Sequence, residues 1–148
     1  MWADYDNDGK PDLLLATPNG LRLFTNLGGA FREDSHLLPP EAQLGSHAAC
    51  WLDVDGDGLP DILAAHGYHG LRLYRNVQTA PAKSGAAPSF SFTDVSLAVG
   101  LGATGFGAER KFDNLSAADV DGDGKPDILY GNRVALLQGA KGAGKYIE

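Results

Sequence analysis

The sequence predicts an all-β fold built from three similar antiparallel units. Two observations lead to this prediction. A nine-residue aspartate motif occurs three times, and short apolar runs of strand length follow each copy. The chain has 148 residues, enough for about one domain. Its 20 glycines and 8 prolines favour turns and short strands over long helices.

The motif reads D-x-D-x-D-G-x-P-D in each copy. The copies span residues 4–12, 53–61 and 119–127, and they contain 12 of the 19 acidic residues. Outside the motifs, 7 acids face 10 bases, although the whole chain has a formal net charge of -7. The negative charge is therefore concentrated in three short segments.

Each motif is followed by the same succession of strand-like segments. The first apolar runs are residues 13–16, 62–65 and 128–130, and the second runs are 21–26, 71–76 and 134–137. A third run occurs at 31–35 and 92–96, with no counterpart after the third motif, and a further apolar stretch at 48–52 and 115–118 leads into the next motif. The segment from Gln78 to Ser91 is predicted to be a flexible surface loop. The pattern predicts four short strands per repeat, with repeats at approximately 1–44, 45–98 and 99–148.

Four-stranded repeats of this length are typical of β-propeller blades. A closed propeller has about four to eight blades, whereas this chain has about three repeats. We therefore expect it to be part of a larger propeller, or to complete itself by forming a homo-oligomer.

The aspartate motif is predicted to be a calcium-binding loop. The glycine at position 6 permits the positive φ of a sharp turn, so the carboxylates at positions 1, 3, 5 and 9 can converge. The backbone carbonyl at position 7 adds an oxygen, and Ca²⁺ takes six to eight oxygen ligands. Zinc favours His or Cys, which the motifs lack, and position 12 is never the Glu of an EF-hand. The predicted ligands, for up to three Ca²⁺ ions, are Asp4, Asp6, Asp8, Lys10 (carbonyl) and Asp12; Asp53, Asp55, Asp57, Leu59 (carbonyl) and Asp61; and Asp119, Asp121, Asp123, Lys125 (carbonyl) and Asp127.

The motif and the aliphatic strand that follows it resemble the FG-GAP/VCBS repeat family, the calcium-loop β-propellers that include integrin α-subunit heads. Residues 73–76 and 92–96 resemble the bacterial subset that is found with ASPIC/UnbV-type domains. Residues 106–107 are a trace of the FG-GAP signature. The resemblance implies a propeller, usually seven-bladed, with Ca²⁺ in the hairpin between the first and second strands of each blade.

Other polar residues form no recognisable catalytic constellation, so no enzyme activity is predicted. His66 and His69 could form a short metal pair, but their place in a turn with Gly67 and Gly70 favours a solvated turn. Cys50 beside Trp51 is predicted to be a buried small hydrophobe. Three further carboxylates are expected to be isolated and solvated, namely Glu33, Asp34 and Asp94.

The predicted function is extracellular protein interaction or adhesion by a calcium-stabilised module. A carbohydrate-binding propeller is an alternative, with Tyr68, His69 and Phe106 as candidate contacts, and an accessory domain of a larger secreted enzyme is another. The acidic charge argues against a nucleic-acid partner, and the lack of a long apolar run argues against membrane insertion. The first residues are not those of a signal peptide. Low-affinity calcium modules work at extracellular calcium levels, so the expected location is extracellular, at the cell surface or periplasmic.

Overall fold

The computed structural model describes residues 1–79, 87–101, 113–131, 133–138 and 145–147. Within these ranges, twelve strands form three four-stranded antiparallel sheets, accompanied by two short 3₁₀ helices at Ser35–Leu37 and Pro40–Gln43. The first sheet contains β1 (Trp2–Ala3), β2 (Asp12–Thr17), β3 (Gly20–Asn26) and β4 (Phe31–Glu33); the second contains β5 (Ala48–Leu52), β6 (Asp61–Ala65), β7 (Leu71–Thr79) and β8 (Ser89–Asp94); the third contains β9 (Leu115–Ala118), β10 (Asp127–Tyr130), β11 (Arg133–Gln138) and β12 (Lys145–Ile147).

Each sheet keeps its strands in chain order, and every neighbouring pair is antiparallel. The aspartate motif joins the first strand to the second in all three sheets. The predicted all-β fold of repeated four-stranded antiparallel units is therefore confirmed.

The third sheet has a fourth strand that the sequence pattern did not predict. Strand β12 pairs with β11 through Leu137↔Tyr146, and the Tyr146 side chain is buried. The expectation that this repeat lacks a counterpart of residues 31–35 was wrong. Strands pair through backbone hydrogen bonds, so the segment Lys-Tyr-Ile can pair with its neighbour although it lacks the phenylalanine that begins residues 31–35 and 92–96. The first repeat also has a strand before its motif, the two-residue β1.

The predicted loop from Gln78 to Ser91 is in part a continuation of the hairpin. Strand β7 extends to Thr79 and β8 begins at Ser89, with the pairs Gln78↔Phe90 and Thr79↔Ser89. The polar composition of residues 78–91 suggested a loop, but the exposed ends of two paired strands need no apolar residues. Residues 80–86 lie outside the described part of the chain.

Two apolar layers hold the sheets together. Every residue of β6 is buried, and its side chains alternate between the layers. Ile62 and Ala64 belong to the layer shared with the first sheet, whereas Leu63 and Ala65 belong to the layer shared with the third. Strand β6 is therefore covered on both faces in the middle sheet, which explains why it is apolar at consecutive positions.

His66 belongs to the core, so the prediction of a solvated histidine was wrong. Its side chain is 1% exposed. Nδ1 lies 2.9 Å from both the Ser46 hydroxyl and the Leu44 carbonyl oxygen, and Nε2 lies 2.8 Å from the Tyr74 hydroxyl. Burial lowers the pKa of this imidazole, and the neutral ring links the sheet to the loop before β5.

The carboxylates expected to be isolated are paired. Asp34 is 3% exposed and accepts hydrogen bonds from Arg32 and from the Thr25 hydroxyl. The Arg32 hydrogen bond is the main cause that lowers the pKa of Asp34. Glu33 pairs with Arg22, and Asp94 pairs with Arg72. Cross-strand partners of this kind cannot be recognised until the strand register is known.

Candidate metal sites

The first aspartate of each motif organises its loop. The Asp4 carboxylate accepts backbone N–H groups from Asp8 at 3.0 Å and from Gly9 at 2.8 Å. The same two bonds recur at 3.1 and 3.0 Å to Asp53 and at 3.1 and 2.9 Å to Asp119. One carboxylate therefore closes the turn and faces the backbone donors of positions 5 and 6.

The aspartates at positions 3 and 5 add shorter turns within the loop. Oδ1 of Asp6 accepts the N–H of Asp8 at 3.2 Å, and Oδ1 of Asp8 accepts the N–H of Lys10 at 2.9 Å. The second and third loops repeat both bonds. These contacts curl the chain so that successive carboxylates face a common point.

The predicted positive φ at position 6 is confirmed in all three loops. Its value is 86° at Gly9, 88° at Gly58 and 83° at Gly124. Position 4 is also left-handed, a feature that the sequence reasoning missed. Its signal was present, because the residues there tolerate this conformation; they are Asn7 (55°), Gly56 (67°) and Gly122 (80°).

Each loop gathers three carboxylates whose potential ligand oxygens lie within 4.8 Å of one another. Clusters of this kind could hold a metal ion. The first group lies in the loop between β1 and β2, and the others lie at the equivalent place in the second and third sheets. The members are Asp4, Asp6 and Asp8; Asp53, Asp55 and Asp57; and Asp119, Asp121 and Asp127.

The aspartate at position 9 has a role in the fold that is visible without any metal. Asp12 is 0% exposed, and its two carboxylate oxygens accept backbone N–H groups from Tyr5 at 3.1 Å and from Asn26 at 2.8 Å. Asp61 and Asp127 make the equivalent bonds, to the second position of their own motif and to the third strand of their sheet. This carboxylate therefore ties the loop to the sheet.

The three clusters are not identical. The groups within 4.8 Å include position 9 only in the third loop, where Asp127 stands in place of Asp123. Asp123 is paired there with Lys125, and Asp8 is paired with Lys10 at 2.5 Å in the first loop. These lysine hydrogen bonds lower the pKa of both aspartates. The second loop has Leu59 in place of the lysine and so lacks this pair.

The peptide N–H at position 7 donates to the aspartate at position 5 in every loop. Whether the carbonyls of Lys10, Leu59 and Lys125 are ligands stays a prediction. The assignment of Asp12, Asp61 and Asp123 as ligands stays a prediction as well.

Burial works against ionisation of the inner carboxylates. It raises the pKa of Asp61 to about 7, and the neighbouring Asp55 and Asp57 add to the rise. Burial also raises the pKa of Asp6 and Asp12, again with contributions from nearby aspartates. A bound cation would favour the charged forms of these groups.

The fold and the loops define a class of protein: repeats of four-stranded antiparallel sheets, each with an acidic hairpin between its first two strands. The model of the FG-GAP-like repeat family matches residues 4–64 and 53–130, and the chain belongs to this family. Each match begins at one aspartate loop and runs through the next. No curated protein matches the chain. In the described ranges, no helix is long and apolar enough to cross a membrane.

Proposed function

We propose that the protein is a calcium-binding β-propeller module that acts in protein interaction or adhesion outside the cell. The observation that supports it best is the recurrence of one carboxylate cluster at the same place in three sheets. A single acidic turn is common on protein surfaces, but the repetition of the same cluster in three equivalent loops supports a shared role for them.

The donor set favours Ca²⁺ over other divalent ions. All the clustered side chains are aspartates, and hard oxygen donors are typical of calcium sites. Mg²⁺ demands strict octahedral geometry and retains several waters, so it suits a cluster of protein carboxylates less well. Zinc favours nitrogen and sulfur donors, which the clusters lack.

Bound calcium would stabilise the sheets through residues that already connect them. The clustered aspartates lie between the first and second strands, and Asp12, Asp61 and Asp127 hold each loop against the third strand. An ion that relieves the repulsion within a loop therefore stabilises the register of three strands. In this proposal the metal has a structural role and the protein is not an enzyme.

The proposed partner is a protein ligand, and the proposed setting is extracellular, cell-surface or periplasmic. Calcium modules in these settings bind at about 10⁻⁴ to 10⁻³ M, which matches extracellular calcium concentrations. A net charge of -7 does not favour nucleic acid. An accessory role beside a secreted catalytic domain is compatible with the same module.

Thermal unfolding with and without calcium tests the proposal. We expect chelation to lower the melting temperature, Ca²⁺ to restore it, and the rise to grow with calcium concentration, because an ion that binds only the folded state stabilises it by mass action. Mg²⁺ at the same concentrations is the matched control. A melting curve that is unchanged by calcium would contradict the proposal.

Glycan binding is the second candidate function. Tyr68 is 70% exposed in the turn between β6 and β7, beside the exposed His69, and an accessible aromatic ring is what a sugar face packs on. Phe106 lies outside the described residues. Binding to a glycan array that Tyr68→Ala abolishes would support this candidate, whereas binding that is unaffected by the change would count against it.

A further inference from the structure

One asparagine side chain connects the first aspartate loop to the second. Asn76 lies on β7, is 1% exposed, and sits at the boundary between the first two sheets. Its side-chain amide donates to the Tyr5 carbonyl of the first loop at 2.8 Å and to the Pro60 carbonyl of the second loop at 3.3 Å. The two loops are therefore joined through a single buried amide group.

In the first loop, this contact holds the peptide that leads into one of the clustered carboxylates. The Tyr5 carbonyl belongs to the peptide bond with Asp6, and Asp6 is a member of the first cluster. The rest of Tyr5 is fixed from within the first sheet, because its N–H donates to Asp12 at 3.1 Å and its hydroxyl lies 2.8 Å from that of Thr25. The position of Asp6 therefore depends on the second sheet as well as on the first.

In the second loop, the same residue holds the peptide that leads into Asp61. The Pro60 carbonyl belongs to that peptide, and the backbone N–H of Asn76 donates to the Asp61 carboxylate at 2.7 Å. Asp61 also accepts the Val54 N–H at 2.8 Å, which ties the end of the loop to its beginning. A displacement of Asn76 would therefore reach both ends of the second loop.

The Asn76 amide is held by its nitrogen and not by its oxygen. The oxygen is buried and has no hydrogen-bond partner among the described residues. By contrast, the side-chain oxygen of the equivalent Asn26 in the first sheet accepts the Gly28 N–H at 2.9 Å. An unpaired buried acceptor is unfavourable, so the two donated bonds are the polar contacts that keep the Asn76 side chain in place.

The equivalent residues of the other two sheets lack the bond to a preceding loop. The Asn26 amide donates to the Pro11 carbonyl of its own loop at 3.0 Å. In the third sheet the place is taken by Leu137, whose backbone N–H donates to Asp127 at 2.9 Å but whose side chain cannot donate. The bond that Asn76 makes from the second sheet to the first loop therefore cannot be made in the same way from the third sheet to the second loop.

We propose that Asn76 couples calcium binding in the first and second loops, so that occupation of either loop raises the affinity of the other, given the proposed calcium sites on which this inference rests. When the first loop is occupied, Asp6 and the Tyr5 carbonyl beside it are fixed. This orders the Asn76 amide and, through Pro60, the second loop, so less ordering remains to be done when the second loop is filled. The effect of the second loop on the first has the same size, because the coupling is an equilibrium property.

Repulsion between ions in the two loops acts in the opposite direction. An open cleft of about 500 Å³ lies between the loops and is lined by Asn7 of the first and by Asp55 and Asp57 of the second. Asn7 and Asp57 are exposed, so salt screens this repulsion over about 8 Å at physiological ionic strength. The contact between Asn76 and Tyr5 is buried and is screened much less. We therefore expect the net coupling to be positive at this ionic strength.

Isothermal titration with Ca²⁺, on full-length chains that retain one or two intact loops, tests the proposal. Asp8→Asn, Asp57→Asn and Asp121→Asn each remove one charge from the cluster of one loop, and each retains an oxygen that can accept the backbone bond of the original carboxylate. In the Asp121→Asn chain, the association constant for filling the first and second loops together should exceed the product of the two single-loop constants by about fivefold.

Asn76→Leu is the variant that should abolish this excess, because leucine is the residue at the same place in the third sheet. A purely structural role of residue 76 would lower the single-loop constants and leave the excess unchanged. Asn26→Leu is the matched control, since it removes the amide that donates to Pro11 within one loop, and the excess should remain. The second and third loops, measured in the Asp8→Asn chain, are an internal control whose joint constant should equal the product.

The possible outcomes distinguish the coupling from calcium binding itself. Calcium binding to both loops without an excess, or an excess that Asn76→Leu leaves unchanged, would overturn the coupling alone. An equal excess for the second and third loops would also overturn the role of Asn76. A wild type that binds no calcium would overturn both proposals. The excess is first measured with Asn76 in place, so the test does not depend on the folding of Asn76→Leu.

Discussion

Asp57→Asn should remove one calcium site of three and leave the fold of its loop nearly unchanged. The Asp57 side chain accepts the Leu59 N–H at 2.8 Å through one oxygen, and asparagine retains an oxygen that can accept this bond. The substitution takes one negative charge from the cluster that also contains Asp53 and Asp55. Its effect should therefore appear with calcium present and be small without it.

The expected magnitude follows from three clusters of similar composition. At a free calcium concentration one hundred times the dissociation constant, one site contributes about 2.7 kcal/mol to the free energy of unfolding, so three contribute about 8 kcal/mol. Loss of one site should remove about a third of the stabilisation by calcium. For a chain of this size, that corresponds to about 8 °C in melting temperature.

Urea unfolding of wild type and variant, in calcium and after calcium depletion, measures this difference. Glu41→Gln is the matched control, because it removes one charge from an exposed carboxylate in the second 3₁₀ helix, outside the clusters. Equal calcium stabilisation of Asp57→Asn and wild type would refute the assignment of the second loop. An equal loss in the control would show that the effect is one of overall charge.

Two further predictions concern the calcium-depleted protein and a turn. Burial raises the pKa of Asp61 to about 7, so the folded state holds a proton that the unfolded chain has lost above its ordinary pKa of about 3.9. The contribution of this group to stability is therefore full below about pH 3.9 and falls by at most about 1.4 kcal/mol per pH unit up to about pH 7. The melting temperature of the wild type relative to that of Asp61→Asn should decline over this pH range. A difference in melting temperature that stays constant with pH would contradict the prediction. Gly20→Ala should destabilise by more than about 2 kcal/mol in urea unfolding, because Gly20 has φ of 108° and an added Cβ would lie 2.6 Å from the Ala42 carbonyl oxygen. Gly29→Ala, where an added Cβ meets nothing within 4 Å, should be nearly neutral, and equal effects of the two changes would count against the described turn.

The strands beside each motif could be predicted because the pattern was local. Alternating or continuous apolar residues after the motif indicated the second and third strands of each sheet, and the repeats indicated that they belong together. Strand β12 was missed because its sequence does not resemble the other fourth strands. Its place in the sheet is visible only from its backbone pairing with β11. The sequence pattern could not predict which face of each strand is buried, because that depends on the neighbouring sheet.

The candidate metal sites were predictable to the extent that they depend on spacing within nine residues. The glycine at position 6 and the clustering of Asp4, Asp6 and Asp8 follow from local turn geometry. The role of Asp12 could not be inferred in full, because its hydrogen bond to Asn26 depends on the pairing of β2 with β3. The burial of His66 was missed because Ser46 and Tyr74 approach it from other parts of the chain.

Isothermal titration of the calcium-depleted chain with Ca²⁺ tests the central claim most directly. The three carboxylate clusters predict three calcium ions bound per chain. In the Asp57→Asn variant the same titration should give two. Heats of dilution alone, or a wild-type stoichiometry that differs from three, would contradict the proposal that each aspartate loop is a calcium site.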